Sequence, residues 1–251
     1  MNYPDNEAMN LVSPILTPTL NLYRPNIIQF ESLDLLHKNF ISYVSDRILE
    51  IGGEYGTARM GLSGSNGLMD IYKLIGTNYS FPFDEVEVYQ LDEDIKGSRQ
   101  LRIKQLLGSN LDIAKFCNWV LVSTMPQMIA SLSNEFDQFD EDDSLDVCIV
   151  EIDNQGQVLG LTANGQGLKG DSAVAVANMN QTMDSYGLTT RQELVSVSMP
   201  TLLQSKEIIC LLKDDTEIMD EILTGTRSAT DCPAKMLLAH PKVTIFYYLD
   251  I

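Results

Sequence analysis

Three short stretches hold residues whose types and spacing could do chemistry. In Gly61-Leu62-Ser63-Gly64-Ser65-Asn66-Gly67, small residues follow a short strand pattern and precede a helical one. Backbone N–H groups can approach an anion closely there, and the helix N-terminus adds a favourable dipole. Ser63 and Ser65 can donate hydroxyls. The stretch is neither a Walker A loop nor GxGxxG, and a tight turn capped by Ser65 or Asn66 fits it as well. In Leu91-Asp92-Glu93-Asp94, carboxylates end a strand-like run. Ligands of open α/β sheets bind beyond the carboxyl ends of strands, where a carboxylate beside a second acid can serve as a general base; a solvated acidic turn is the alternative. Asn154-Gln155-Gly156-Gln157 is a glycine loop after a buried strand, of the kind that delivers catalytic side chains above a sheet. Its glutamines can hydrogen-bond sugar hydroxyls, but an amide has no proton to exchange near pH 7.

The elements that must position these stretches alternate in type. Apolar residues at helical spacing run through 32–51 (Leu35, Leu36, Phe40, Ile41, Val44, Ile48 and Leu49). A short strand at 60–63, a helix over 68–75, a strand over 85–91 and a helix over 100–107 follow. Residues 119–122 read as a further strand and 128–132 as a short helix. Strands are expected over 146–151, 193–199, 207–212 and 243–249, with a helix over 216–223 closed by Gly225. Residues 1–29 carry four prolines and read as an extended arm or irregular edge. The acidic run EFDQFDEDDSLD at 135–146 reads as a solvated loop; an EF-hand pattern is absent. Strands alternating with helices imply one α/β domain spanning 1–251, with a mostly parallel sheet covered on both faces in three α/β/α layers.

Composition narrows the function. The 251 residues are 44% hydrophobic, enough for a large core, and the formal net charge is −18. That charge argues against nucleic-acid or anionic-membrane partners, which need clustered Lys and Arg. It also opposes long-range attraction of an anionic ligand, which local amides and a few cations would have to hold. No apolar run reaches the length of a membrane span, and MNYPDNEAMN lacks the features of a secretory signal. Cys117, Cys148, Cys210 and Cys232 form no CxxC pair, and His37 and His240 are the only histidines, so no zinc site is expected. The cysteines read as reduced core thiols of a cytoplasmic protein. No cofactor is implied, and self-association into a homo-oligomer is left open.

Taken in order, these pieces resemble the 6-phosphogluconolactonase and glucosamine-6-phosphate deaminase superfamily, from about residue 32 to 251. Residues 61–67 are similar to its LSGGSTP phosphate loop, and Val88-Tyr89-Gln90-Leu91-Asp92-Glu93 to its strand ending in Asp-Glu. Ser98 matches the serine of its S-N-Y or Q-S-Y segment. Residues 146–156 resemble the strand before its G-x-D-G-H loop, 193–203 its next strand and turn, and Ala239-His240-Pro241-Lys242-Val243 its LHPKA segment. The resemblance implies a Rossmann-like sheet and a sugar-phosphate pocket built from Ser63, Gly64, Ser65, Asn66, Ser98, Arg99 and Gln155, with Asp92, Glu93 and Gln157 at the catalytic positions. The activity it implies is lactone hydrolysis, or aldose–ketose or deaminase chemistry.

The match breaks at the acid–base groups. Asp92 keeps the family's first Asp, but the loop Asp falls on Gln155 and the loop His on Gln157. A deaminase glutamate falls near Thr162, and a phosphate-binding lysine near Asp215, with Lys213 close by. General-base catalysis supplies about 10²–10⁴-fold, so losing the His removes useful turnover unless Asp92 or Glu93 substitutes. Arg99 stands where the lactonases have Asn and with Arg102 offers a cationic contact for phosphate, although both also fit an exposed helix face. The alternative to an enzyme is a degenerate sugar-phosphate sensor or a scaffold.

Overall fold

The computed structural model describes residues 22–249 apart from 95, 113–114, 118–124, 137–143, 166, 170–171, 180–191 and 214. In chain order the strands and helices are β1 (Asn26–Phe30), α1 (Leu33–Tyr55), β2 (Ala58–Leu62), α2 (Met69–Gly76), β3 (Val86–Gln90), β4 (Asp92–Asp94), α3 (Ser98–Leu107), β5 (Lys115–Cys117), α4 (Met125–Phe136), β6 (Val147–Ile152), β7 (Val174–Met179), β8 (Gln192–Val197), α5 (Met199–Leu202), β9 (Glu207–Lys213), α6 (Thr216–Thr224) and β10 (Val243–Tyr248). Seven strands form one parallel sheet in the order β1-β10-β9-β6-β2-β3-β5, and β4-β8-β7 form a small antiparallel sheet.

The central strands are apolar on both faces, which is why they sit inside. In β6, Val147 and Ile149 join one core while Cys148, Val150 and Ile152 join the other; in β9, Ile209 and Leu211 oppose Ile208, Cys210 and Leu212. The first core is closed by α1, α2 and α3 through Phe40, Val44, Ile48, Ile71, Ile75, Ile103 and Leu107. The second is closed by α4, α6 and the small sheet, through Leu132, Ile218, Ile222, Val174 and Val195. The expected three-layer α/β/α architecture is therefore present. Helices α2 and α3 meet at Gly76, where a Cβ would overlap the Leu106 carbonyl oxygen.

Some details differ from the sequence reading. The end of the expected arm, residues 26–29, forms with Phe30 the edge strand β1, paired in parallel with β10. Its half-exposed pattern carries no clean alternation. The strand expected over 119–122 and the centre of the acidic run lie outside the described residues. Among the described residues, no helix is long and apolar enough to cross a membrane. Cys148, Cys210 and Cys232 are free and buried; burial pushes the Cys148 thiol up to about 12, so it is an inert core group.

At the amino ends of β9 and β10, Glu207 is 1% exposed and accepts from Tyr43 Oη at 2.6 Å and Arg47 Nε at 2.7 Å, while Lys242 Nζ lies 2.6 Å away. This cluster ties α1 to two strands. Burial alone would raise the Glu207 pKa, but Lys242, Tyr43 and Arg47 together outweigh it and hold the carboxyl below its ordinary range. Its contribution is then complete above the unfolded value of about 4.3 and is lost as pH falls through the lower folded value. Glu207→Gln should cost about 2–3 kcal/mol at neutral pH. Urea midpoints of the variant and parent should converge as the pH is lowered toward 3.

Candidate functional site

All three stretches singled out in the sequence meet at the carboxyl ends of β2, β3 and β6. Strand β2 pairs with both β3 and β6, so the turns leaving them are neighbours. Ser63 N–H donates to Ile149 O at 3.0 Å, and Leu91 N–H donates to Leu62 O at 2.9 Å. From below, Tyr72 Oη donates to Ser63 O at 2.7 Å.

Within the loop, Gly64 N–H donates to Asp92 Oδ1 at 2.6 Å. Gly67 N–H donates to Glu151 Oε2 at 2.9 Å, and Gly67 O accepts from Lys213 Nζ at 2.7 Å. Both glycines are demanded by close approach. A Cβ on Gly64 would lie 2.5 Å from Arg99 Cβ, and one on Gly67 would overlap the Glu151 carboxylate. Two of the amides suited to an anion therefore face carboxylates of the chain itself. Ser63 Oγ accepts weakly from Ser65 N–H at 3.3 Å. Ser65 Oγ is buried without a hydrogen-bond partner, although Ser65 does begin the short 3-10 turn at Asn66–Leu68.

Asp92 has no exposed surface. Its Oδ2 forms an ion pair with Arg99 Nη1, and Arg99 is itself 4% exposed. Burial lowers the Arg99 pKa to about 10, with the neighbouring Arg102 charge acting in the same direction; the guanidinium stays charged at neutral pH. Arg102 donates from Nη1 to Asn66 Oδ1 at 2.5 Å, and its Nε is buried without a partner. Arg99 is thus a buried neighbour of the loop, and Arg102 spans to it. The exposed-face alternative fails for Arg99 because α3 turns that side toward Gly64.

Glu93, expected beside Asp92 as a second acid, is instead tied to backbone. Its Oε1 accepts from Asp94 N–H at 2.8 Å and Arg99 N–H at 3.0 Å; its Oε2 accepts from Gln100 N–H at 2.7 Å and Gln90 Nε2 at 2.9 Å. It satisfies the open donors of the first turn of α3. Burial raises its pKa and these donors pull it back. Asp94 accepts from Lys96 N–H and from the Ser98 hydroxyl, so Ser98 too is engaged within the turn. The reading of 92–94 as a solvated acidic turn is excluded: all three side chains are buried in β4.

The glutamine loop is braced by its own side chains and by a bond from Ala234 N–H to Gly156 O at 2.8 Å. Asp153 Oδ1 accepts from Gln155 N–H at 2.9 Å and Gln157 N–H at 2.8 Å, and Gln157 Nε2 donates to Gln155 Oε1 at 2.7 Å. Gly156 has φ +76°, and a Cβ there would lie 2.5 Å from Cys232 Sγ. Leu159, just beyond, is held at φ +56°, a strained conformation for a leucine. Burial raises the Asp153 pKa against the two amide donors, with Glu151 and Asp215 adding to the rise. Asp215 caps α6 through Ile218 N–H at 2.8 Å.

His240 lies away from the site. Its Nε2 meets Ser205 O at 2.7 Å and its Nδ1 accepts from Lys242 N–H, at the amino ends of the strands. His37, buried on α1, is nearer than expected, within electrostatic reach of Lys213 and Asp70, and burial followed by Lys213 lowers its pKa. Glu151, Asp153 and Lys213 were not among the site residues expected from sequence. The signal for Glu151 was available: a charged residue near the end of an otherwise apolar strand. Among the described residues, no group of three or more His, Cys, Asp or Glu side chains is placed to hold a metal. Glu93→Gln should destabilise the fold by about 2–4 kcal/mol, because an amide nitrogen cannot accept from these donors; chemical denaturation measures it.

No family model matches the sequence, and no curated protein sequence matches it. Solved structures do. A 6-phosphogluconolactonase from Trypanosoma brucei is 14% identical with a TM-score of 0.77, over 91% of this chain and 97% of that one. A 6-phosphogluconolactonase from Shewanella baltica is 17% identical with a TM-score of 0.71, over 91% and 98%. A monomeric glucosamine-6-phosphate deaminase is 16% identical with a TM-score of 0.70, over 90% and 98%. At these identities the likeness concerns architecture: the chain has the fold of the 6-phosphogluconolactonases and of glucosamine-6-phosphate deaminase.

Proposed function

We propose that this chain binds a phosphorylated sugar at the 61–67 loop and does not hydrolyse lactones. The observation that carries the reading is the state of Asp92: without exposed surface, bonded to Gly64 N–H and paired with Arg99. A general base must reach a substrate proton and have a basicity matched to the operating pH. A carboxylate without exposed surface, held by Gly64 N–H and the Arg99 guanidinium, does not reach a substrate proton. Gln155 and Gln157, bonded to each other, offer no replacement. Lactone hydrolysis, the activity implied by the family resemblance, is therefore not the reading this geometry favours.

Binding is supported by what the loop leaves open. Ser65 Oγ and Arg102 Nε are both donors, both buried without partners, and both at the same turn, since Arg102 bonds the adjacent Asn66. Arg99 and Lys213 complete a cationic rim suited to a phosphate monoester. The fold neighbours named as lactonases and a deaminase of 6-phosphorylated sugars make that ligand class the natural one. A second reading, a scaffold without ligand, draws on Glu151, whose carboxylate occupies the Gly67 amide.

Calorimetric titration with 6-phosphogluconate, glucosamine 6-phosphate and inorganic phosphate, with turnover assayed in the same samples, separates these readings. Binding without turnover is expected, and Arg102→Gln should weaken it about tenfold. Turnover abolished by Asp92→Asn would establish a hydrolase or isomerase instead. Absence of binding at millimolar ligand would leave the scaffold.

A further inference from the structure

Arg99 and Arg102 stand three residues apart on α3, so they share a face of the helix. Both reach the 61–67 loop, Arg99 with its carbons against Gly64 and Arg102 through Asn66. Their compensation differs. Arg99 has a carboxylate, Asp92, whereas Arg102 has the neutral oxygen of Asn66. This is notable in a chain with 35 acidic and 17 basic residues. The charged and titratable groups around the pair are Tyr72 from α2, Glu151 from β6, Arg102 from α3, and Glu93 and Asp94 on the Asp92 strand; Ser196, opposite Asp92 in β8, carries no charge. Glu93 and Asp94 are held by their own donors.

An anion seated between two guanidiniums gains most if both turn to it. Arg102 can do so by leaving an amide oxygen. Arg99 has further donors on its guanidinium, but an anion there competes with Asp92 for its single positive charge. We infer that Arg99 is the anion-selecting residue at this loop and works by exchange, serving as the counterion of Asp92 when no ligand is bound and of the ligand when one is. The inference rests on the sugar-phosphate reading above and adds to it a residue and a rule of selection. A neutral sugar offers Arg99 no second partner and leaves the pair closed. An anionic ligand draws that charge away and leaves Asp92 in a buried place, where Gly64 N–H still donates to it. An uncompensated buried carboxylate is strongly disfavoured, and it is relieved by taking a proton from solvent. Anion binding is then coupled to proton uptake at Asp92, and Asp92 competes with the ligand for Arg99.

The competition has an unusual consequence. Removing the carboxylate should improve binding. Titration of the full chain with glucose 6-phosphate, and separately with sulfate, should show Asp92→Asn binding either anion about tenfold more tightly than the parent, and Arg99→Gln binding both more weakly. Glucose should bind none of the three measurably. Sulfate does not titrate near neutral pH, so calorimetry in two buffers of different ionisation enthalpy reads protons taken up by the protein alone. The parent should take up a proton on binding sulfate, a measurement that stands even if a variant does not fold. If Asp92→Asn binds anions no more tightly and the parent takes up no proton, Arg99 is a fixed strut and the exchange is overturned while the sugar-phosphate reading survives. If neither anion binds the parent or Asp92→Asn at millimolar concentration, the sugar-phosphate reading falls, and the exchange with it.

Discussion

The Glu93 carboxylate is the contact on which the arrangement of this site depends. It has no exposed surface, and its two oxygens receive three backbone N–H groups and the Gln90 amide. Two of those N–H groups belong to the first turn of α3, so a residue just past β3 fixes where that helix begins. The start of α3 then sets the direction of Arg99 and Arg102, and Gly76 lets the far part of the helix close on α2. The peptide that brings Glu93 to its donors also buries Asp92 beneath Gly64. A single side chain therefore joins strand end, glycine-rich loop and cationic helix face into one corner. An unsatisfied charge there would be far costlier than the ordinary loss of a surface ion pair.

Within that corner, charges that could face a substrate face one another. Gly64 and Gly67 present amides to Asp92 and Glu151, and Arg99 presents its guanidinium to Asp92. The same groups, unpaired, would make an anion site with a base beside it. A carboxylate left alone in such a place must find donors within the chain or give up its charge. The loop at 153–157 behaves likewise, since Asp153 takes the amides of Gln155 and Gln157 and the two glutamine side chains bond each other. The strained Leu159 that follows shows that the loop holds a demanding shape.

The legible part of the fold was the part with strong patterns. Strands β6, β9 and β10 are near-continuous apolar runs, and α1 keeps its apolar stripe from Leu36 to Ile51, so each could be read without partners. Strand β1 was hidden by prolines before it and by a half-exposed pattern. Strand β4 was hidden because Asp-Glu-Asp is the composition of a solvated turn, and nothing local reveals that backbone donors wait for each carboxylate. The candidate site was legible as positions but not as pairings. The motif order placed Ser63, Gly64, Asp92, Ser98, Arg99 and Gln157 in one region; the fold sets Gly64, Asp92 and Arg99 in contact, while Gln157 bonds Asp153 and Gln155 at the end of β6. That Arg99 is buried against Gly64 depends on the crossing of α3 over the loop, which no spacing rule contains. The roles of Glu93 as a helix cap and Glu151 as a loop partner depend on the same tertiary approach.

The net charge of −18 and the local chemistry of the loop point in opposite directions, and distance decides between them. Charges more than about 8 Å away are largely screened at physiological ionic strength, so most of the 35 acidic residues act on a ligand only during its approach. Arg99, Arg102 and Lys213 contact the loop directly, and Arg99 does so from a buried position where screening is weak. For an anion, the global charge lowers the rate of encounter, and the local cations govern how long it stays. Added salt relieves the first effect more than it weakens the second, because the repulsion is long-range and the contacts are partly enclosed. An acidic overall balance does not by itself bar a small anion from the end of β2, because Arg99, Arg102 and Lys213 contact the loop directly, where Asp92 and Glu151 offset part of their charge.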